Sequence, residues 1–190
     1  MENPRAQSPY ARNLLRNYGA LEGLNHWQTP SGDKEPEVED VPEGIQPIAT
    51  CVTLDGPVKN WVTSSQFGSL CQEIDLLKEG FPEDLLDKQR PPIYTSVRCA
   101  AREDCGSKFR FTVQLLDKNR KELDKWDTEK DLTDEANRGT WHPVEYTFRN
   151  YKPGVRYILV KMGGNDTVRW SGNYGAKFTL PTVRFVFNKV

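Results

Sequence analysis

The chain has 190 residues, which suits one domain with a sizeable core. Its 26 Lys plus Arg nearly cancel its 27 Asp plus Glu, which excludes the basic face a nucleic-acid binder needs to displace counterions. No apolar run is long enough to span a bilayer, and the N-terminus, MENPRAQSPYARN, lacks the apolar stretch of a secretory signal.

Residues 1–12 are polar and carry prolines, and are expected to form a disordered tail ahead of one domain over 13–190. Asn13–Asn17 is expected to form a short turn. The acidic segment Thr29–Gly44, with Pro30, Pro36 and Pro42, reads as a surface loop. Strand signals dominate after it. Candidate strands are Ile48–Leu54, Asn60–Ser64, Cys71–Leu76 and Ile93–Ala100. Between the last two, Pro82–Asp87 offers one or two helical turns, with proline in the first helical position.

Lys108–Leu116 alternates Lys108, Arg110, Thr112 and Gln114 with Phe109, Phe111, Val113 and Leu115, the period of a strand with one wet face. Asp117–Asn119 reads as a hairpin turn, and the mixed charges of Asp117–Lys125 as solvated turns. Val144, Tyr146 and Phe148 share one strand face. Val155–Met162 reads as a strand, and Ile158–Val160, apolar on both parities, as its centrally placed part covered on both sides. Gly163-Gly164 then reads as the start of a glycine-rich loop that holds up Trp170, with Tyr174 between Gly172 and Gly175. Thr182–Asn188 puts Val183, Phe185 and Phe187 on one side. Phe109, Phe111, Val113, Tyr157, Leu159, Phe185 and Phe187 are the expected buried residues. Many short strands joined by Gly- and Pro-bearing turns predict an all-β, antiparallel β-sandwich with one or two short helices.

Catalytic chemistry finds little support. Only His26 and His142 are present, with no nucleophile-elbow motif and no phosphate loop. His142 shares strand parity with Val144 and Tyr146, which suits a half-buried structural role, and His26 is expected to be structural or exposed. Cys51, Cys71, Cys99 and Cys105 form no C-x-x-C pair, so reduced thiols, no metal and no cofactor are expected. Asn165-Asp166-Thr167 is a glycosylation sequon. The reading is a non-enzyme. An isolated tryptophan in a glycine-rich loop suits a binding surface, although Trp170 packed under its own loop fits the same residues. A flat ring can cover the C–H face of a pyranose while a carboxylate accepts from its hydroxyls.

Three segments resemble one family. Tyr151, Pro153, Gly154, Val155 and Arg156 lead through a strand into Gly163, Gly164, Asp166, Trp170, Gly172, Gly175 and Ala176. NLLRNYGALEGLNHW (Asn13–Trp27) and IDLLKEGFPEDLLDKQRPPI (Ile74–Ile93) stand before them in the same order. Together they resemble the F-box-associated (FBA) domain of the sugar-recognising F-box proteins. That resemblance implies a jelly-roll-like, galactose-binding-like sandwich. It also implies a site, built from loops at one end, for the inner N-acetylglucosamine pair of a high-mannose N-glycan. In sugar-binding members that site uses a phenylalanine, an aspartate and a Tyr-Trp-Lys run.

Carried over, Trp170 matches the tryptophan and Asp104 the aspartate, although Asp104-Cys105-Gly106 also reads as ordinary turn chemistry. Phe67 stands for the phenylalanine in a loop one residue shorter. Arg169 replaces the tyrosine, Ser171 replaces the lysine, and Asn173 stands where a second aromatic is expected. Arg169 can partly replace both lost groups, or close the site by pairing with Asp104 or Asp166. The resemblance thus implies a lectin-like glycoprotein-recognition module with a weakened sugar site, linked through its relatives to ubiquitin conjugation. The alternative is a protein-interaction or receptor-type module on the same fold that has lost N-glycan binding. The residues before Asn13 cannot hold an F-box, which resembles the nonspecific cytotoxic cell receptor protein 1 branch of the family. Without a signal or a spanning segment the expected location is cytoplasmic, with a peripheral place at the cell surface as the alternative.

Overall fold

The computed structural model describes residues 12–48 and 57–187. Among the described residues nine strands form two antiparallel sheets. The first has five strands in the order β1 (Glu37–Glu39), β2 (Asn60–Val62), β9 (Lys177–Phe185), β4 (Ile93–Ala100) and β7 (His142–Phe148). The second has four, in the order β3 (Gly68–Asp75), β8 (Tyr157–Asp166), β5 (Ser107–Leu116) and β6 (Glu122–Leu132). The expected antiparallel sandwich is what forms. Among the described residues helix is confined to one stretch over 83–89, π-type at Leu85–Gln89, and a 3-10 turn at Glu135–Asn137. Among the described residues no helix is long and apolar enough to cross a membrane.

The alternation of β5 produces the core directly. Phe109, Phe111, Val113 and Leu115 are fully buried, and Phe109 meets Phe178 of the opposite sheet with ring centroids 5.4 Å apart. Trp61 continues the layer 6.0 Å from Phe178, with Trp27 packed edge-on at 5.4 Å. On the other flank Trp126 of β6 stacks on Tyr146 of β7 at 5.0 Å and 12°, joining the two edge strands across the open side. Burying side chains of this size removes enough apolar surface from water to dominate the stability of such a sandwich.

Two family-like segments act as ties. Asn13 accepts from the amides of Leu15 and Val183 and donates to the Pro181 carbonyl at 2.9 Å, pinning the chain's opening to β9 as an irregular bend without helix. Arg156 donates to both oxygens of Asp87, at 2.9 and 2.8 Å, and the Gly154 amide reaches the same carboxylate at 2.8 Å. This fixes the π-type turn against the start of β8, and the Arg156 hydrogen bond holds Asp87 below the usual carboxylate range.

Several expectations are corrected. The β8 face is inverted: Ile158, Val160 and Met162 are buried, while Tyr157 and Leu159 are only half-buried. The strand is central in its sheet, but just one of its faces meets the core, so both-parity apolarity misread it. Phe187 lies past the end of β9 and is 40% exposed. The acidic loop contains β1, and the charged stretch after Asp117 forms β6, whose position at the sheet edge favours charge. The expected strand at Ile48–Leu54 falls at residues 49–54 outside the described residues, as do residues 1–11 of the tail and Cys51. Cys71, Cys99 and Cys105 are free, and burial pushes the Cys99 thiol up to about 12.

Gly163 and Gly164 do not begin a loop: they lie inside β8. A Cβ on Gly163 would sit 2.3 Å from the Gly68 carbonyl oxygen, and one on Gly164 would sit 2.2 Å from the Lys108 carbonyl oxygen. The neighbouring backbones close over both positions, and no side chain fits. We expect Gly164→Ala to lower stability by about 2 kcal/mol or more in urea unfolding, as overpacking against backbone does. A loss below about 0.5 kcal/mol, the size of an ordinary surface change, would contradict the close approach.

Candidate functional site

Strand register gathers three loops at one end of the sandwich. Gly68 pairs with Gly164, Ser107 with Asp166, and Lys177 with both Val62 and Ala100. The connections 63–67, 101–106 and 167–176 therefore leave the sheets side by side. Backbone bonds lock them: Asp166 N–H to the Ser64 carbonyl at 2.9 Å, Gly175 N–H to the Thr63 carbonyl at 2.9 Å, and Thr167 N–H to the Gly106 carbonyl at 3.1 Å. Gly175 is required here, because a Cβ would come within 2.4 Å of Thr63 Oγ1.

Within this end, Asp104 and Trp170 are linked by a chain of contacts. Arg102 grips Asp104 with two hydrogen bonds, Nε to Oδ1 at 2.9 Å and Nη2 to Oδ2 at 3.1 Å. The same guanidinium lies 4.3 Å from the centre of the Tyr174 ring, and Tyr174 meets Trp170 edge-on at 5.3 Å and 90°. Glu43 approaches Arg102 at 3.5 Å from the far side. Trp170 remains 47% exposed, so its own loop does not cover it. Asp104 keeps its carboxylate on the surface, and the Arg102 hydrogen bond holds it below the ordinary carboxylate range.

The remaining candidates lie around this chain. Arg169 is exposed with φ +58°, a left-handed conformation, and its amide donates to Asp166 Oδ1 together with that of Val168. Its guanidinium pairs with neither Asp104 nor Asp166. It lines a wide groove with Ser65, Lys108 and Asn165. Ser171 is exposed, and Asn173 ties the loop to Glu37 with a 2.8 Å bond. Phe67 is half-buried and lines a different groove, over the outer face of the four-stranded sheet beside Lys161 and Gly163. The structure therefore joins Asp104 to Trp170 through Arg102 and Tyr174, sets Arg169 and Ser171 next to Trp170 in the chain, and places Phe67 in the groove over the sheet face.

Sequence reasoning missed Arg102. Its signal was its place two residues before Asp104, as the first residue of a turn closed by the Cys105 N–H to the Arg102 carbonyl at 3.3 Å. It also missed Lys177, fully buried and ion-paired to Glu39 of β1. Burial pulls the Lys177 ammonium below its ordinary range, and Glu39 offsets this. That pair, with Asn60 donating to Glu39 at 3.0 Å, seats β1 against β2 and β9 directly beneath the loop end.

The Arg102 grip has a titration consequence. A carboxylate held low in the folded state adds stability above its unfolded pKa, and that stability is lost as pH falls through the folded value. In Arg102→Ala, the Asp104 carboxyl should return toward the ordinary range of about 4, followed by 13C-detected NMR titration. An Asp104 titration unmoved by this change would contradict the Arg102 assignment.

Comparisons with known proteins agree with this architecture. Residues 6–185 match the sequence family described as the F-box associated region. The chain is similar to F-box only protein 44 of Mus musculus, 37% identical over 174 residues, covering 90% of this chain and 67% of that protein. It is similar to F-box only protein 6 of Homo sapiens, 38% identical over 173 residues, covering 90% of this chain and 58% of that protein. The chain thus covers 58% to 67% of the length of these relatives. Among solved structures, TmCBM61 in complex with β-1,4-galactotriose superposes with a TM-score of 0.57 at 15% identity, over 93% of this chain and all of that one. A family 16 carbohydrate-binding module gives 0.52 at 16% identity, over 92% of this chain and all of that one. At such identities the likeness is one of fold.

Proposed function

Since the chain belongs to the F-box associated region family, we propose that it is a non-enzymatic, lectin-like module that recognises glycoproteins through the loop end of its sandwich. The observation that carries this reading is the half-exposed Trp170 ring, propped edge-on by Tyr174 and joined through Arg102 to the Asp104 carboxylate. A flat ring suits the C–H face of a pyranose, and a surface carboxylate beside it suits a hydroxyl or an acetamide N–H. The ligand class is the N-acetylglucosamine pair of a high-mannose N-glycan core, with Trp170 as the stacking platform. Arg169 and Ser171 flank it in place of the tyrosine and lysine of sugar-binding members. The link to ubiquitin conjugation follows from the F-box relatives, and the proposed location is cytoplasmic.

The geometry also favours weak affinity. Both oxygens of Asp104 already accept from Arg102, so a sugar must share or displace that partner. Ser171 offers a short hydroxyl where a long donor would reach. Each lost contact costs about 1 kcal/mol or more, so two together weaken binding by roughly tenfold to a hundredfold. The engagement of Asp104 by Arg102 is also what favours the second reading, a protein-interaction or receptor-type module on the same surface.

Titration with a chitobiose-bearing glycan separates the two. Wild type should bind weakly, Trp170→Ala should abolish that binding, and Arg169→Tyr with Ser171→Lys should strengthen it by about tenfold or more. Tight wild-type binding would overturn the weakening. Failure of all three proteins to bind would select the protein-interaction reading.

A further inference from the structure

The outer face of the four-stranded sheet is hollowed along its length. β5 presents Arg110, Thr112 and Gln114 outward, and β8 presents Lys161 and Gly163 beside them, with Thr112 opposite Lys161 and Arg110 opposite Gly163. Because no side chain fits at Gly163, the face sinks at its middle. The groove there has a volume of about 320 Å³, with the Phe67 ring at one wall and Lys125 and Asp127 of β6 at the other. It adjoins the groove lined by Lys108, Asn165 and Arg169, since Lys108 and Asn165 follow Arg110 and Gly163 at the next outward positions. From Gln114 to Lys108 the trough follows β5 for about 20 Å, at the rise of an extended strand.

The lining is polar and held in place by its neighbours. Arg110 grips Asp127 through Nε at 3.0 Å and Nη2 at 2.6 Å, and Thr112 donates to the same carboxylate at 3.0 Å. Gln114 donates to Glu122 at 2.7 Å. Lys161 pairs with Asp33 at 3.0 Å and lies 5.8 Å from the Phe67 ring centre. Arg110 and Lys161 retain N–H donors beyond those used. Interleaved opposite charges suit neither a polyanion nor an apolar peptide. One aromatic wall, fixed planar hydrogen-bonding groups and an elongated shape suit a chain of hydroxyl-bearing rings.

We propose that this trough is a second carbohydrate site, taking a linear oligosaccharide of equatorially linked pyranoses, with Phe67 as its stacking wall and Arg110, Gln114 and Lys161 as its polar contacts. A β-1,4-linked chain is flat and extended, which matches a sheet face. The site is independent of the Trp170 end and does not rest on its glycan reading.

The test titrates full-length protein with three tetrasaccharides, β-1,4-linked glucose, mannose and N-acetylglucosamine, followed by calorimetry and amide NMR shifts. At least one should shift the amides of Arg110–Gln114 and Lys161–Gly163. Its affinity should stay within about twofold in Trp170→Ala and fall by about tenfold or more in Phe67→Ala and in Gln114→Ala. Gln114 is a surface residue, so its variant keeps the test open if Phe67→Ala fails to fold. Absence of these shifts with all three sugars at millimolar concentration, or binding lost in Trp170→Ala and kept in Gln114→Ala, overturns the proposal.

Discussion

The structure depends on the close approach of three backbones at Gly163 and Gly164. Carbonyl oxygens of β3 and β5 stand 2.3 and 2.2 Å from where Cβ atoms would be. With nothing there to push them apart, β8 keeps β3 beside it as far as Gly164 and β5 for its full length, and runs on to Asp166. Ending the strand at Asp166, four residues after its apolar run stops at Met162, sets where the Trp170 loop begins. It also brings Asp166 level with Ser107, so that the Thr167 amide can reach Gly106 at the base of the Asp104 loop. The same missing side chain hollows the outer sheet face. One steric constraint therefore shapes both surfaces on which recognition is proposed.

Charge does the second part of the work. Lys177 is wholly buried, and a lone ammonium there would be strongly unfavourable, so Glu39 and the strand that carries it are drawn in beside it. Arg102 plays a similar part nearer the surface, holding Asp104, Glu43 and the Tyr174 ring at once. This arrangement orders the loop end before any ligand arrives, which reduces the entropy lost on binding. It also leaves Asp104 with less capacity to accept from a ligand. Order and weakened affinity share a cause.

Much of this was legible in the residues. The alternation of Lys108–Leu116 and the apolar set of Ile93–Ala100 fixed strands whose bounds differ from the expectation by one residue or none. The family-like segments marked the ties at Asn13 and Arg156. Other features were hidden for physical reasons. An edge strand such as β6 needs no apolar period, because only one of its faces packs and its charges face water. In β8, Leu159 is as apolar as Ile158 and Tyr157 brings a large ring, so only the partner strands decide which parity turns inward. Paired glycines look alike in a turn and in a crowded strand. Arg102 left little trace, since two of its three partners, Glu43 and Tyr174, come from distant parts of the chain. The direction of Phe67 follows from the groove beneath it, which no local pattern encodes.

Native-state amide hydrogen exchange across residues 157–166 tests the central constraint most directly, because it reports whether Gly163 and Gly164 belong to the sheet or to a loop. The account predicts that both glycine amides exchange as slowly as those of Ile158 and Val160 and open together with them. Exchange at the rate of the exposed Trp170 loop would contradict it, and would remove the basis for placing the loop end and the sheet trough as described.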